Sequence, residues 1–430
     1  MMPSVVQVAL TGPDAPFSGE LSLPGDKSMS HRALLLAGMA HGTSRIVGRG
    51  PGTDVAATEQ ALTLLGVHVG DPVVTSPGVA DWSEPPVPID AGNSGTTLRL
   101  LAGALAARPY TTTLVGDESL MRRPMRRLVD PLGALGARIT VADDGTAPVT
   151  VAGTSLRGAT VRLGLASAQL RTAVALAALQ AEGPSEIDSP PGFRDHTERW
   201  LAGLGLGRWI SSTAFRVEPG PVPPTEFRLP GDPSSAAYPA AAAALVPGAS
   251  VHLVGVSLNP GRTGFFDVLE EMGASVVRTV TGAVHGDPIG DVTVRGAALR
   301  GVHVRGVRSV RALDELPLIA VLAAAASGET RIRDAAELAA KESDRIAATV
   351  ALIRALGGDA DPTEDGMVIA GSARYRGGMV DAAGDHRIAM AAAVAATAAD
   401  GPVTIAGFDA VDVSWPGFRT TLEGLWSSSP

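Results

Sequence analysis

The chain has 430 residues, 45% hydrophobic and 18% charged, which is enough to bury two or three cores. Its formal net charge of −9 argues against nucleic acid as a partner, because nucleic-acid binding wants a basic face. With no cysteine, disulfides, thiolate metal sites and cysteine nucleophiles are excluded.

Residues 1–10 carry neither the basic n-region nor the apolar stretch of a signal peptide. The alanine-rich runs are too short and too weakly apolar to span a bilayer, so a cytoplasmic protein with no membrane partner is expected. The 51 Gly and 32 Pro predict many short elements joined by tight turns.

The first informative element is Leu23-Pro24-Gly25-Asp26-Lys27-Ser28-Met29-Ser30-His31-Arg32, which runs into an apolar helix over 33–40. A Pro-Gly turn places a lysine and a serine at a helix start, with an arginine one turn on. Exposed N–H groups and the positive end of the helix dipole attract anions there. A second copy, Leu229-Pro230-Gly231-Asp232-Pro233-Ser234, opens another alanine-rich helix over 236–245. Comparable helices are predicted to begin near Ser94, Ser167, Asp314 and Asp385, each at a residue suited to an N-cap. They are apolar almost all round, so they should be buried.

Between them recurs a helix ending in Leu or Met followed by Gly: Leu65-Gly66, Leu135-Gly136, Leu204-Gly205, Met272-Gly273 and Leu356-Gly357, with Leu422 to Trp426 as a possible terminal copy. Glycine at that place fits a left-handed C-cap. Strand candidates lie at 149–151, 160–163, 251–254 and 330–333. The chain therefore reads as six units of about 70 residues, three per half. The expected domains are 1–22 plus 229–430, and 23–228, with the chain crossing between them near 22–23 and 226–231.

Several further segments carry charge or tight turns: Asn93-Ser94-Gly95-Thr96-Thr97-Leu98-Arg99, Met121-Arg122-Arg123-Pro124, Ser167-Ala168-Gln169, Arg194-Asp195-His196-Thr197-Glu198, Asp314-Glu315-Leu316-Pro317, Lys341-Glu342-Ser343-Asp344-Arg345 and Asp385-His386-Arg387. Together, and in this order, they resemble the 5-enolpyruvylshikimate-3-phosphate synthase family of enolpyruvyl transferases over the full chain. The resemblance implies an α/β (α+β) fold of two similar domains. Each would hold three βαβαββ units around buried parallel helices, an inside-out α/β barrel.

It also implies the reaction: transfer of the enolpyruvyl group of phosphoenolpyruvate to the 5-hydroxyl of shikimate 3-phosphate, with release of phosphate, on the shikimate pathway to chorismate. Both substrates are small anions, bringing together a charge of roughly −5 to −6. By resemblance, Lys27, Ser28, Arg32, Ser167, Ala168, Gln169, Arg194, Asp314 and Lys341 hold shikimate 3-phosphate. Lys27, Gly95, Thr96, Arg123, Gln169, Arg345 and Arg387 hold phosphoenolpyruvate. Arginine suits this work because its planar fork matches carboxylate and phosphate oxygens. Lys27, Asp314 and Glu342 are the implied catalytic groups, a lysine and two carboxylates sharing the proton transfers. No metal or other cofactor is expected, and the protein should act as a monomer.

Plainer readings stand beside these. Arg123 has Arg122, Arg126 and Arg127 for neighbours and reads equally as a solvated arginine. Asp314 reads as a helix cap, and Glu342 as an i, i+3 partner of Arg345. Asp26 and Asp385 read as caps, and His196 and His386 as packing residues within their turns. Two departures from the family pattern stand out. Val413-Ser414-Trp415-Pro416 lacks the lysine of the usual C-terminal stretch, and Ala168 replaces a serine. Both resemble a second, more divergent bacterial class, while Gly95 implies sensitivity to glyphosate. The sister transferase acting on UDP-N-acetylglucosamine uses a cysteine this chain lacks. A catalytically inactive relative is disfavoured by the presence of Lys27, Asp314, Glu342 and Arg387.

Overall fold

In the computed structural model, which describes residues 6–371 and 374–428, the chain falls into two units. Residues 1–5 of the segment read for a signal peptide lie outside the described residues. One unit comprises Met1–Pro24, Gly231–Gly282 and Pro288–Pro430; the other comprises Gly25–Pro230 and Ala283–Asp287.

The Gly25–Pro230 unit holds three four-stranded sheets, and each is built the same way. In one, Ile89–Asp90 leads into the helix Gly95–Ala104 and then Thr111–Val115, which pairs parallel to the first strand. A second helical stretch and the antiparallel strands Arg138–Thr140 and Val149–Ala152 complete the sheet. This is a βαβαββ unit. The sheet around Ser185–Asp188 repeats it, with the helices Ala168–Ala178 and His196–Gly203. The third, around His41–Val47, takes its first strand from far along the chain: Glu226–Arg228 lies parallel to it.

The other unit mirrors this exchange, because Ser18–Ser22 lies parallel to Ser250–Ser257, the strand that follows the second Leu-Pro-Gly-Asp helix. Its remaining sheets carry the helices Leu316–Ala325 and His386–Ala396. The two Leu-Pro-Gly-Asp copies hydrogen-bond reciprocally, Asp26 N to Pro230 O at 2.8 Å and Asp232 N to Pro24 O at 2.9 Å. The chain changes unit next to each copy. It changes again at the hairpin of Ser275–Val284 and Asp287–Arg295: most of it belongs to the unit with Met1–Pro24, while its tip, Ala283–Asp287, belongs to the unit with Gly25–Pro230. His285 and Gly286 at this tip both have positive φ, 46° and 81°. A two-residue turn with that geometry matches the twist of the strands it joins.

The sequence explains the cores. The helices Lys27–Met39, Gly95–Ala104 and Ala168–Ala178 are buried on nearly every side, as are Pro233–Leu245, Leu316–Ala325 and His386–Ala396. Alanine and glycine let such helices approach closely, and their uniform apolarity leaves no face for water. The five Leu/Met-Gly signatures all end helices with glycine at positive φ, between 74° and 109°. Leu422 to Trp426 lies in the helix Phe418–Trp426. The helix expected to start at Asp314 instead starts at Leu316, after a single 3-10 turn over Leu313–Glu315. Asp314 does not cap it, because its carboxylate is taken up by Lys341 and Arg345. Among the described residues, no helix is long and apolar enough to cross a membrane.

Two helices approach closely at Gly103, where an added Cβ would penetrate the backbone carbonyl of Ala173 on the neighbouring helix. Backbone cannot swing aside as a side chain does. Gly103→Ala is therefore expected to lower unfolding stability by about 1–3 kcal/mol, read as a lower urea midpoint. An unchanged midpoint would contradict this packing.

Candidate active site

In the Gly25–Pro230 unit, three central helices bring their N-termini to a common set of side chains. Asp26 caps the first, its carboxylate accepting from Met29 N at 2.8 Å. Ser94 and Ser167 cap the other two through Thr97 N and Leu170 N, at 3.1 and 3.3 Å. Each cap is local chemistry written into the sequence.

The functional side chains then tie one helix start to another. Lys27 Nζ lies 2.9 Å from Asp54 Oδ2. Arg32 is 3% exposed, and its guanidinium donates to Thr197 Oγ1 at 2.8 Å, Ser28 O at 2.8 Å and Thr172 Oγ1 at 3.0 Å. Gln169 donates to Thr96 Oγ1 at 2.9 Å and accepts from Arg99 at 2.9 Å. Arg123 donates to Asn93 Oδ1 at 2.9 Å and is buried, which removes the reading of a solvated arginine. A Cβ at Gly95 would lie 2.7 Å from Arg99 NH1 and 3.4 Å from Arg123 NH1, so a side chain there would crowd the two guanidinium ends. Arg194 is half-buried and directly precedes the helix His196–Gly203. Lys27, Ser28, Arg32, Gly95, Thr96, Arg123, Ser167, Ala168, Gln169 and Arg194 thus all lie in this unit.

Asp314, Lys341, Glu342, Arg345 and Arg387 lie in the other unit, and ion pairs join them. Arg345 is 1% exposed; Nε and NH2 grip Asp385 at 2.8 and 3.2 Å. NH2 also meets Glu342 at 2.5 Å, the i, i+3 pair, and NH1 meets Asp314 at 3.3 Å. Lys341 Nζ stands 3.4 Å from the same Asp314 oxygen. Arg387 donates from NH1 to Asp314 O at 3.1 Å and Glu315 Oε1 at 3.2 Å, and its NH2 lies 3.8 Å from Asp314 Oδ2. Glu315 also accepts from the Ser234 hydroxyl, which in turn accepts from Arg262 at 2.9 Å.

Burial alone would make these arginines easier to deprotonate. For Arg345 it is outweighed by Asp385 and Glu342, and for Arg387 by Asp314 foremost, so both are held more firmly protonated than usual. Burial pushes the Asp385 carboxyl up, but Arg345 outweighs it and holds the group below the usual carboxylate range. Asp385 has two tasks: it caps its helix through Arg387 N at 2.9 Å and anchors Arg345. His386 is buried, and His196 pairs with Asp287, consistent with packing roles.

Sequence reasoning missed Asp54, Arg99, Thr172, Thr197 and Glu315 as partners of these groups. Arg99, Thr197 and Glu315 fall inside the motifs already singled out, so motif membership was their available signal. Asp54 and Thr172 have no comparable signal, because their role depends on a long-range contact.

A buried relay runs behind the helix starts: His31 Nδ1 meets Thr58 Oγ1 at 2.7 Å, which meets Thr97 Oγ1 at 2.6 Å, which donates to Ser94 Oγ at 2.8 Å. Burial, reinforced by Lys27 and Arg32, holds the His31 imidazole well below its ordinary pKa of 6.5, so it stays neutral. Below that pH the unfolded chain gains a proton at His31 that the folded chain refuses. This part of the stability is therefore lost as pH falls below 6.5, and restored as pH rises. Between pH 6.5 and 5.5, His31→Gln should abolish about 1 kcal/mol of the stability loss seen in the wild type by urea unfolding. Parallel losses in the two proteins would contradict it.

The model of the EPSP synthase (3-phosphoshikimate 1-carboxyvinyltransferase) family matches residues 12–422. A 3-phosphoshikimate 1-carboxyvinyltransferase from Roseiflexus sp. (strain RS-1) is 45% identical over 414 residues, covering 94% of this chain and 96% of that protein. One from Brevibacillus brevis is 41% identical, covering 94% and 96%. The solved EPSP synthase of Acinetobacter baumannii superposes with a TM-score of 0.86 at 36% identity, covering 97% of this chain and 98% of that one. The enolpyruvyl transferase NikO of Streptomyces tendae shares the fold, at a TM-score of 0.79 and 20% identity. With a family model spanning nearly its whole length, and relatives this similar over nearly all of theirs, the chain belongs to the EPSP synthase family.

Proposed function

We propose that the chain transfers the enolpyruvyl group of phosphoenolpyruvate to the 5-hydroxyl of shikimate 3-phosphate, releasing phosphate on the route to chorismate. The observation that carries this reading is the set of fixed cations at capped helix starts, Lys27 and Arg32 above all, together with the Asp314–Arg345–Glu342 cluster. Substrates with a carboxylate and a phosphate each need that concentration of donors.

The roles divide between the two sets of residues. Lys27, Ser28, Arg32, Ser167, Ala168, Gln169, Arg194, Asp314 and Lys341 hold shikimate 3-phosphate. Ala168 supplies backbone rather than a hydroxyl. Lys27, Gly95, Thr96, Arg123, Gln169, Arg345 and Arg387 hold phosphoenolpyruvate. Arginines already fixed by Asp385, Asp314 and Glu315 lose little side-chain entropy when the anion arrives.

In the first step, Asp314 takes the proton of the 5-hydroxyl as its oxygen bonds to C2 of phosphoenolpyruvate, and C3 gains a proton, giving a tetrahedral intermediate. In the second step C3 gives up a proton, the C2–O bond to phosphate breaks with the proton held by Asp314 passing to the departing phosphate, and the enol ether forms. Glu342 and Lys27 carry the proton to and from C3. Both steps conserve atoms and electrons without a metal or redox cofactor. We read the protein as a cytoplasmic monomer. Release with UDP-N-acetylglucosamine as acceptor is the competing reading, disfavoured by the missing cysteine.

Purified protein should release inorganic phosphate only when phosphoenolpyruvate and shikimate 3-phosphate are both present; release with UDP-N-acetylglucosamine, or with no acceptor, would overturn the assignment. Asp314→Ala should then lower kcat by about 10²–10⁴-fold. Gly95→Ala should raise KM for phosphoenolpyruvate by about ten- to a hundredfold, because its methyl meets Arg99 and Arg123. The KM for shikimate 3-phosphate should stay within about twofold. Equal changes in both constants would contradict the role given to Gly95.

A further inference from the structure

We propose that Asp287, at the tip of the hairpin formed by Ser275–Val284 and Asp287–Arg295, is a positioning residue for the shikimate 3-phosphate residues. It acts through His196 on the first turn of the helix that follows Arg194. The inference rests on the proposed roles of Arg32 and Arg194.

Three consecutive residues open the helix His196–Gly203, and each is anchored to a different element. His196 Nδ1 pairs with Asp287, and neither side chain is exposed at all. Thr197 Oγ1 accepts from Arg32 Nε at 2.8 Å. Glu198 accepts from Arg171. Successive helical residues point about 100° apart, so three such anchors fix both the rotation and the axial position of the turn. Arg194 and Asp195 lead into this turn, and Thr197 holds Arg32 directly.

The tip is bound for more than the one pair. Arg199, which pairs with Asp195 at 2.8 Å, also donates to Gly286 O at 3.1 Å. The His285 ring packs edge-on against Phe227 and Trp200, with centroids 5.2 and 6.2 Å away. Gly203 leaves room for it, since a Cβ there would lie 3.1 Å from both the Cβ and the carbonyl oxygen of His285. Removing one partner of a fully buried hydrogen-bonded pair leaves the other polar group unsatisfied, so the helix turn must shift or solvate. A shift there moves Thr197 and the approach to Arg194, while Gly95, Arg123 and Gln169 sit on other elements. The effect is therefore selective for one substrate.

Steady-state constants for both substrates in wild type, Asp287→Ala, Asp287→Asn, His285→Ala and Arg194→Ala test this. In Asp287→Ala the KM for shikimate 3-phosphate should rise about tenfold, with that for phosphoenolpyruvate within about twofold. Asp287→Asn should recover most of the loss, because its amide oxygen still accepts from Nδ1–H. His285→Ala, at a half-exposed position, should show a rise of about threefold and decides the matter if Asp287→Ala does not fold. A residue that only stabilises the fold would lower the thermal midpoint and leave the two KM values unsplit. An unsplit result in folded Asp287→Ala, or in His285→Ala, would overturn the proposal. If Arg194→Ala itself leaves the shikimate 3-phosphate KM unchanged, it is the assignment of Arg194 that fails.

Discussion

A cation taken out of water before its ligand arrives must be held by fixed acceptors, and that requirement organises this protein. Arg345 is almost fully buried, yet Asp385, Glu342 and Asp314 keep it charged. Arg32 is held differently, by two threonine hydroxyls and a backbone carbonyl drawn from three segments. In each case the acceptors are drawn from two units of the repeat. The packed helices therefore exist in part to deliver those acceptors, and a misplaced helix would leave a buried charge without compensation. The alanine- and glycine-rich cores make that delivery accurate, because close approach leaves little freedom for sliding.

The repeat supplies more helix starts than the chemistry uses. The first Leu-Pro-Gly-Asp copy continues with Lys27 and Ser28. The second continues with Pro233 and Ser234, whose hydroxyl is spent inside the protein on Glu315 and Arg262. One scaffold thus serves the proposed binding of ligand at one copy and internal support at the other. The internal network is not idle, because Glu315 also receives Arg387. The Ser234 hydroxyl and the Arg387 guanidinium thus share a single carboxylate oxygen.

What the sequence disclosed was local. Caps at Asp26, Ser94, Ser167 and Asp385, and the left-handed glycines after each Leu or Met, follow from the preferences of single residues and appear in the structure where they were expected. Asp314 departs from this pattern because Lys341 and Arg345, distant in sequence, compete for its carboxylate. The partners Asp54, Thr172 and Thr197 stayed hidden for the same reason, since only the folded chain brings them to Lys27 and Arg32. The hairpin tip was least legible. Val284-His285-Gly286-Asp287 has no Asn-Gly or Asp-Gly turn pair at its centre, and nothing local foretells that Asp287 is buried against His196.

The most direct test of the account follows the carbon that changes bonds. With phosphoenolpyruvate labelled with ¹³C at C2 and shikimate 3-phosphate as acceptor, NMR of the reaction should show the label moving into an enol ether attached to the shikimate ring. Label appearing as pyruvate, or remaining in phosphoenolpyruvate while the protein is folded and binds both substrates, would contradict transfer as the reaction of this site.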